Sequence, residues 1–153
     1  MYLIIFPSVN WALNWALFIW GKPNITFSDI IIIMIVINKA TTNTVILELT
    51  SNSSFLNPNY LFEFENDLTN NLTYFTAQDQ SSFKCRYNRF EIIEDTVEIP
   101  LSGQVSLLSG MYTYNVYEAS AATLSVSATT GRVVQTGKVI VNGTNSSIPS
   151  VYR

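Results

Sequence analysis

Glu63 and Glu65 stand two positions apart in the alternating segment from Tyr60 to Glu65. A glycoside hydrolase uses a pair of carboxyl groups for catalysis, and two carboxylates on one face of a strand could form such a pair. The same alternation, however, directs Phe62 and Phe64 to the core and therefore both glutamates to the solvent. We expect a solvated outer face at these two positions and no catalytic acid–base pair.

A second group of side chains that could do chemistry lies at residues 83–90. Lys84, Arg86 and Arg89 alternate there with aromatic residues, a pattern found in proteins that bind single-stranded nucleic acid. Acidic residues follow at once, and the net charge of −3 argues against neutralisation of many phosphates. Since arginine and tyrosine are enriched at protein interfaces, we predict a protein interface formed by Lys84, Arg86, Tyr87 and Arg89.

The chain has one cysteine, Cys85, and no histidine. A thiol nucleophile needs a base to activate it, and histidine is the commonest one. We therefore expect Cys85 to be a small buried side chain on a strand, and one cysteine cannot form an internal disulfide. No metal-site spacing, phosphate-binding loop or Ser-His-Asp set is present, so we predict no enzyme activity, no cofactor and no metal.

Short alternating segments separated by turn signals surround these residues and predict an all-β protein. A short edge segment is expected at 95–101, where Pro100 is best tolerated because it cannot donate to a strand ladder. Other expected strands are residues 34–39, 44–50, 60–65, 72–77, 83–94, 119–128 and 132–141. Seven to nine strands over about 110 residues have the spacing of a β-sandwich.

The segment from Leu107 to Glu118 carries the strongest signal for the fold. It has the pattern of a turn followed by a strand that places Tyr112, Tyr114 and Val116 on one face. Gly110, a tyrosine two residues later and a core residue two further on have the spacing of a tyrosine corner. The sequence therefore predicts an immunoglobulin-like antiparallel β-sandwich of about seven to nine strands without a disulfide. We expect Tyr112 to be buried, with its hydroxyl bonded to nearby backbone.

Composition divides the chain into three parts. Residues 1–33 are apolar and hold all three tryptophans, residues 34–141 form the predicted sandwich domain, and residues 142–153 form a C-terminal tail. The first part has three interpretations: a signal peptide or membrane anchor, a structured arm, or a start assigned too early. We favour the third, because Met34 opens a clean strand and would be a natural initiator, and because an exposed apolar stretch rich in Ile and Trp would promote aggregation. The missing basic region and cleavage site count against a cleaved signal peptide.

Four motifs follow one another in the second part: Asn57–Asp67, Arg86–Ile92, Leu107–Glu118 and Gly131–Gly137. Their series resembles small proteins encoded by phages of Bacteroidetes hosts, including the crAss-like phages. Some of those proteins look like virion structural components with an immunoglobulin-like fold. The resemblance implies a non-enzymatic virion protein, a capsid auxiliary (decoration) or head–tail component. Its partners would be capsid or neck subunits, or further copies of this chain.

A second function stays open beside the first. The chain has the composition of a membrane-anchored or secreted adhesion module if residues 1–20 are an anchor. The protein would then be found with membranes or outside the cell rather than in virions.

Overall fold

The computed structural model describes residues 33–144, in which eight β-strands form two sheets and no α-helix occurs. The strands are β1 (Ile33–Asn38), β2 (Thr42–Leu47), β3 (Asn59–Asn66), β4 (Leu72–Thr76), β5 (Asn88–Glu94), β6 (Gln104–Val105), β7 (Gly110–Ala119) and β8 (Val133–Asn142). Three 3₁₀ helices lie at Thr50–Asn52, Pro100–Ser102 and Val126–Ala128. The predicted extension 1–33 lies outside the described residues except for residue 33, as does most of the tail 142–153.

The larger sheet has the order β1-β8-β7-β3-β4 and the smaller sheet has the order β2-β5-β6. Pairing is antiparallel for β3 with β4 and β7, for β7 with β8 and for β2 with β5. Two pairs, β1–β8 and β5–β6, run parallel. The predicted all-β sandwich without a disulfide is therefore confirmed, with these two parallel pairs added to the expected antiparallel ones.

Aromatic side chains fill the space between the two sheets. Phe62 stacks on Phe75 with ring centroids 5.1 Å apart and meets Phe90 edge-on, also at 5.1 Å. Phe62 belongs to the larger sheet and Phe90 to the smaller, so the second contact joins the two layers. Tyr60, Phe62 and Phe64 are all at most 2% exposed, as their alternation predicts. Each such aromatic pair contributes about 0.5–1.5 kcal/mol beyond the burial of its area.

The strand predicted for residues 83–94 is wrong in its first half. Residues 83–87 form a turn, in which the backbone N–H groups of Arg86 and Tyr87 donate to the Phe83 carbonyl at 2.9 and 3.2 Å. The strand β5 begins only at Asn88.

The strand predicted for residues 119–128 is also wrong, because β7 ends at Ala119 and a loop with a 3₁₀ helix follows. Local hydrogen bonds satisfy this loop: Thr123 Oγ1 accepts from the Ser125 N–H, and Thr129 Oγ1 donates to the Val126 carbonyl. Serine and threonine compete in this way with a strand ladder.

Pro100 opens a 3₁₀ helix rather than lying in an edge strand, since the first helical position does not need an N–H donor.

Candidate interaction surfaces

The predicted tyrosine corner is present at the start of β7. The side chain of Tyr112 is 3% exposed, and its hydroxyl donates a hydrogen bond of 2.8 Å to the Leu108 carbonyl, four residues upstream. Gly110 lies between the two with a φ of 150°, a backbone conformation that favours glycine. The corner fixes the loop before β7 onto the strand itself, so its role is structural.

Tyr114 takes the next core position of β7 and is fully buried. Burial raises the pKa of its hydroxyl to about 12. The nearby side chain of Gln135 acts in the opposite direction and lowers that pKa, but neither the Tyr114 hydroxyl nor Gln135 Oε1 makes a hydrogen bond of acceptable geometry with any described group. The hydroxyl is therefore an unpaired polar group in an aromatic core.

The expectation that Glu63 is solvated is wrong. Glu63 lies on the outer face of the larger sheet but is only 9% exposed, and its Oε1 accepts hydrogen bonds from Asn115 Nδ2 at 2.8 Å and the Tyr117 hydroxyl at 3.3 Å. Burial and the Glu63 carboxylate together raise the pKa of Tyr117 and of Tyr74 on the other side. Glu65, the second glutamate of the carboxylate pair considered in the sequence, is half-buried. The carboxylate thus holds neighbouring strands together.

The four residues of the predicted interface are divided between two elements. Lys84 and Arg86 are exposed on the turn 83–87, and Tyr87 at its end is half-buried. Arg89 lies on β5, where its Nη2 forms an ion pair of 2.9 Å with Glu91 Oε1. The turn presents its two cations together, whereas Arg89 belongs to the outer face of the smaller sheet.

Cys85 is exposed in the same turn, so the expectation of a buried cysteine is wrong. Phe83, two residues earlier in the turn, is also exposed, at 62%. The turn therefore displays an aromatic ring, a thiol and two cations to the solvent.

A pair of polar residues that sequence analysis missed anchors this turn. Asp79 Oδ1 accepts from the backbone N–H groups of Ser81 and Arg89, and Asp79 Oδ2 accepts from Asn88 Nδ2 at 2.9 Å. Burial alone would raise the pKa of Asp79, but these hydrogen bonds lower it below its ordinary value. Asn88, 1% exposed, also accepts from the Leu49 N–H at 2.8 Å. The sequence signal that could have revealed this pair is Asn88 itself, an asparagine at an inward-facing position of an alternating segment.

A cleft of about 400 Å³ adjoins the turn. Its lining is mostly polar and includes Asn57, Asn59, Gln78, Asp79 and Lys84. Lys84 thus connects the predicted interface to this cleft.

The outer face of the larger sheet carries exposed apolar side chains. Val36 of β1, Ile140 of β8 and Met111 of β7 are adjacent in register, and we name these three residues the apolar row. Val36 and Met111 are each 50% exposed. The row continues into a second cleft of about 410 Å³, whose lining includes Met111, Leu68 and Leu108. Contiguous exposed apolar surface of this kind is typical of a contact site.

Comparison with models of protein families, with curated proteins and with solved structures found no match to this chain. Within residues 33–144 there is neither a helix long and apolar enough to cross a membrane nor a group of three side chains suited to hold a metal ion.

Proposed function

We propose that the chain is a non-enzymatic structural protein of a phage virion, a capsid auxiliary or head–tail component that acts through contacts with other proteins. The observation that carries the proposal is the apolar row, with Val36 and Met111 half-exposed on the outer face of the larger sheet. An apolar surface on a rigid sheet gains free energy when another protein covers it, by about 25 cal/mol for each Å² removed from water. The resemblance of the four sequence motifs supplies the virion as the setting.

The architecture supports this role. The aromatic core and the hydrogen-bonded corner hold the sandwich in one shape without a disulfide. A component present in many copies needs only a modest affinity at each contact, because simultaneous contacts multiply. A preformed β-scaffold also loses little conformational entropy when it binds.

The turn 83–87 supplies a second contact of different chemistry. Lys84 and Arg86 are exposed on the same turn as the ring of Phe83. A partner surface with carboxylates around an apolar recess would complement this turn.

Mass spectrometry of purified phage particles tests the proposal. We expect the chain to sediment with particles, and we expect the double variant Val36→Lys, Met111→Lys to be incorporated at least tenfold less. Val97→Lys is the control, since Val97 is 59% exposed but lies in the loop after β5 of the smaller sheet, whereas the apolar row belongs to the larger sheet. Absence of the wild-type chain from particles contradicts the proposal. Retention in membranes at high salt would instead support the adhesion module.

A further inference from the structure

The two sides of the smaller sheet differ in how their edges are protected. At one side, β6 is only two residues long, and Ile99 lies beyond it and exchanges backbone hydrogen bonds of 2.9 and 3.3 Å with Gln104 of β6. On the same side, the 3₁₀ helix Pro100–Ser102 covers the edge strand β4 of the larger sheet, and Thr76 Oγ1 donates to the Leu101 carbonyl at 3.0 Å. Short strands and covering segments are standard protections against unwanted strand pairing.

The other side of the smaller sheet ends in β2, and within residues 33–144 no short strand or covering segment protects it. The Glu94 N–H donates to the Thr41 carbonyl, so Thr41 and Glu94 form a hydrogen-bonded pair of the β2–β5 ladder. Bonded and non-bonded positions alternate along an antiparallel pair. The backbone groups of Asn43, Val45 and Leu47 therefore face β5.

The backbone groups of the intervening residues Thr42, Thr44 and Ile46 consequently face away from the sheet, and we name them the β2 edge. No described residue forms a hydrogen bond with the backbone groups of the β2 edge. The side chains of these three residues are exposed as well, Ile46 at 60%. The β2 edge is thus a six-residue strand margin, about 20 Å long, with unpaired donors and acceptors.

The charge distribution favours one kind of partner at this margin. β2 has the sequence Thr-Asn-Thr-Val-Ile-Leu and carries no charge. On the neighbouring β5, Arg89 and Glu91 neutralise each other in their ion pair. Two copies of the chain, each with a net charge of −3, can therefore approach here without placing like charges opposite each other.

We infer that β2 is a self-association edge, at which a second copy of this chain adds its own β2 in antiparallel orientation. The inference deepens the proposed function and rests on it for the premise that the chain acts through protein contacts. A two-fold axis at Thr44 places Thr44 opposite its own equivalent and Thr42 opposite Ile46 of the second copy. The backbone N–H and C=O groups of these residues face away from β5, so each opposed pair exchanges two backbone hydrogen bonds. Two three-stranded sheets then form one continuous sheet.

The pairing is self-complementary, as a two-fold contact must be. Threonine opposite threonine and threonine opposite isoleucine are both favourable cross-strand pairs. Because the contact is one strand wide, it buries less than the roughly 800 Å² per partner of a stable complex. We therefore expect a dimer that forms reversibly, with a Kd of about 10 µM to 1 mM.

Hydrogen exchange of the full chain measures this pairing directly. In the monomer, the amides of Thr42, Thr44 and Ile46 have no partner in the sheet and exchange rapidly. Raising the concentration from about 10 µM to about 1 mM is expected to slow their exchange several-fold, while sedimentation equilibrium reports the dimer. The amides of Val45 and Phe90, bonded within the sheet, stay protected throughout.

Two lysine substitutions distinguish pairing at the β2 edge from non-specific hydrophobic association. Ile46→Lys places a charge on the β2 edge, which natural edge strands use to prevent pairing. We expect this variant to stay monomeric and to lose the concentration-dependent protection. Leu56→Lys also replaces an exposed apolar residue, 94% exposed on a loop, and is expected to dimerise like the wild type. At a concentration of about 10 µM or less, where the wild type is monomeric, both variants should unfold close to the wild-type denaturant midpoint, because neither side chain is buried.

Amides of the β2 edge that exchange at one rate at all concentrations overturn the inference, as does a dimer that survives Ile46→Lys. Protection already present in the dilute monomer overturns it too, since the chain would then cover its own edge.

Incorporation into particles distinguishes the self-association edge from the proposed function. A chain found in virions but monomeric at 1 mM leaves the proposed function standing and removes only the dimer. A chain that dimerises but is absent from virions leaves the self-association edge standing and removes the proposed function.

Discussion

At the scale of single residues, the two buried tyrosines of β7 differ in what their hydroxyls bind. The Tyr112 hydroxyl donates to the Leu108 carbonyl, and the Tyr114 hydroxyl has no partner of acceptable geometry. We expect Tyr112→Phe to lower the free energy of unfolding by about 1 kcal/mol, the usual net contribution of one buried hydrogen bond. We expect Tyr114→Phe to be neutral or to stabilise, because it removes an unpaired polar group from the core.

Denaturant unfolding of both variants measures the difference, and each is the control for the other. Both remove one oxygen from one strand of the same core, so packing changes are matched. Equal losses in the two variants would contradict the assignment of the corner.

The corner was predictable from the sequence because its parts lie within a few residues of one another. The spacing of Gly110, Tyr112 and Tyr114 is local, and so is the hydrogen bond to Leu108. The burial of Glu63 was not predictable in this way. It depends on Asn115 and Tyr117, more than fifty positions away, which reach it only after β3 and β7 pair.

At the scale of elements, the alternating strands were predicted well and the irregular segments were not. Segments with apolar residues at every second position, such as Tyr60 to Glu65, became strands. Residues 83–87 also alternate, but Asp79 and Asn88 organise the chain there into a turn through side-chain hydrogen bonds. Residues 120–128 have few large apolar side chains to bury, so serine and threonine bonds to nearby groups decide their conformation.

The end of the 3₁₀ helix before β6 depends on a glycine. Gly103 has a φ of 79°, and a Cβ added there would lie 3.0 Å from the Glu91 carbonyl oxygen and 3.2 Å from Ala77 Cβ. Gly131 has nearly the same φ, 73°, but nothing within 4 Å of such a Cβ. We expect Gly131→Ala to cost about 1 kcal/mol of stability for the left-handed conformation alone. Gly103→Ala should cost about 2 kcal/mol or more, because the close backbone contact adds to it.

Thermal unfolding of the two alanine variants compares them under one condition. The gap between their midpoints isolates the steric cost at Gly103, since both carry the same conformational strain. A gap near zero would mean that the chain between Pro100 and β6 shifts freely to make room.

At the scale of the whole molecule, buried carboxylates tie separate segments together. Glu94, 4% exposed, accepts from the Ala40 N–H at 2.7 Å and the Leu107 N–H at 3.2 Å, and it pairs with Lys39 Nζ at 3.0 Å. It thereby joins the β1–β2 turn to the segment before β7. Glu118, fully buried, accepts from the Ser54 N–H at 2.6 Å and holds the loop before β3.

These bonds make the fold sensitive to acid. Burial alone would raise the pKa values of Glu94 and Glu118, but backbone hydrogen bonds and a nearby cation lower both below the ordinary value of 4.5. A carboxyl whose pKa is lower in the folded than in the unfolded state stabilises the fold fully above the unfolded value. That contribution disappears as the pH falls from about 4.5 through the lower folded pKa. The free energy of unfolding should therefore decline in this range.

Glu94→Gln tests this acid sensitivity at one site. The variant cannot ionise at position 94, so we expect it to be less stable than the wild type at pH 7 and to approach the wild type progressively below about pH 4.5. Glu98→Gln, at an exposed position of the loop after β5, is the matched control and should follow the wild-type curve at every pH. Urea unfolding between pH 2.5 and 7 gives both curves. A constant difference between Glu94→Gln and the wild type over that range would mean that position 94 contributes through packing, and that the lowered pKa of its carboxyl has no part in holding the β1–β2 turn against the sandwich.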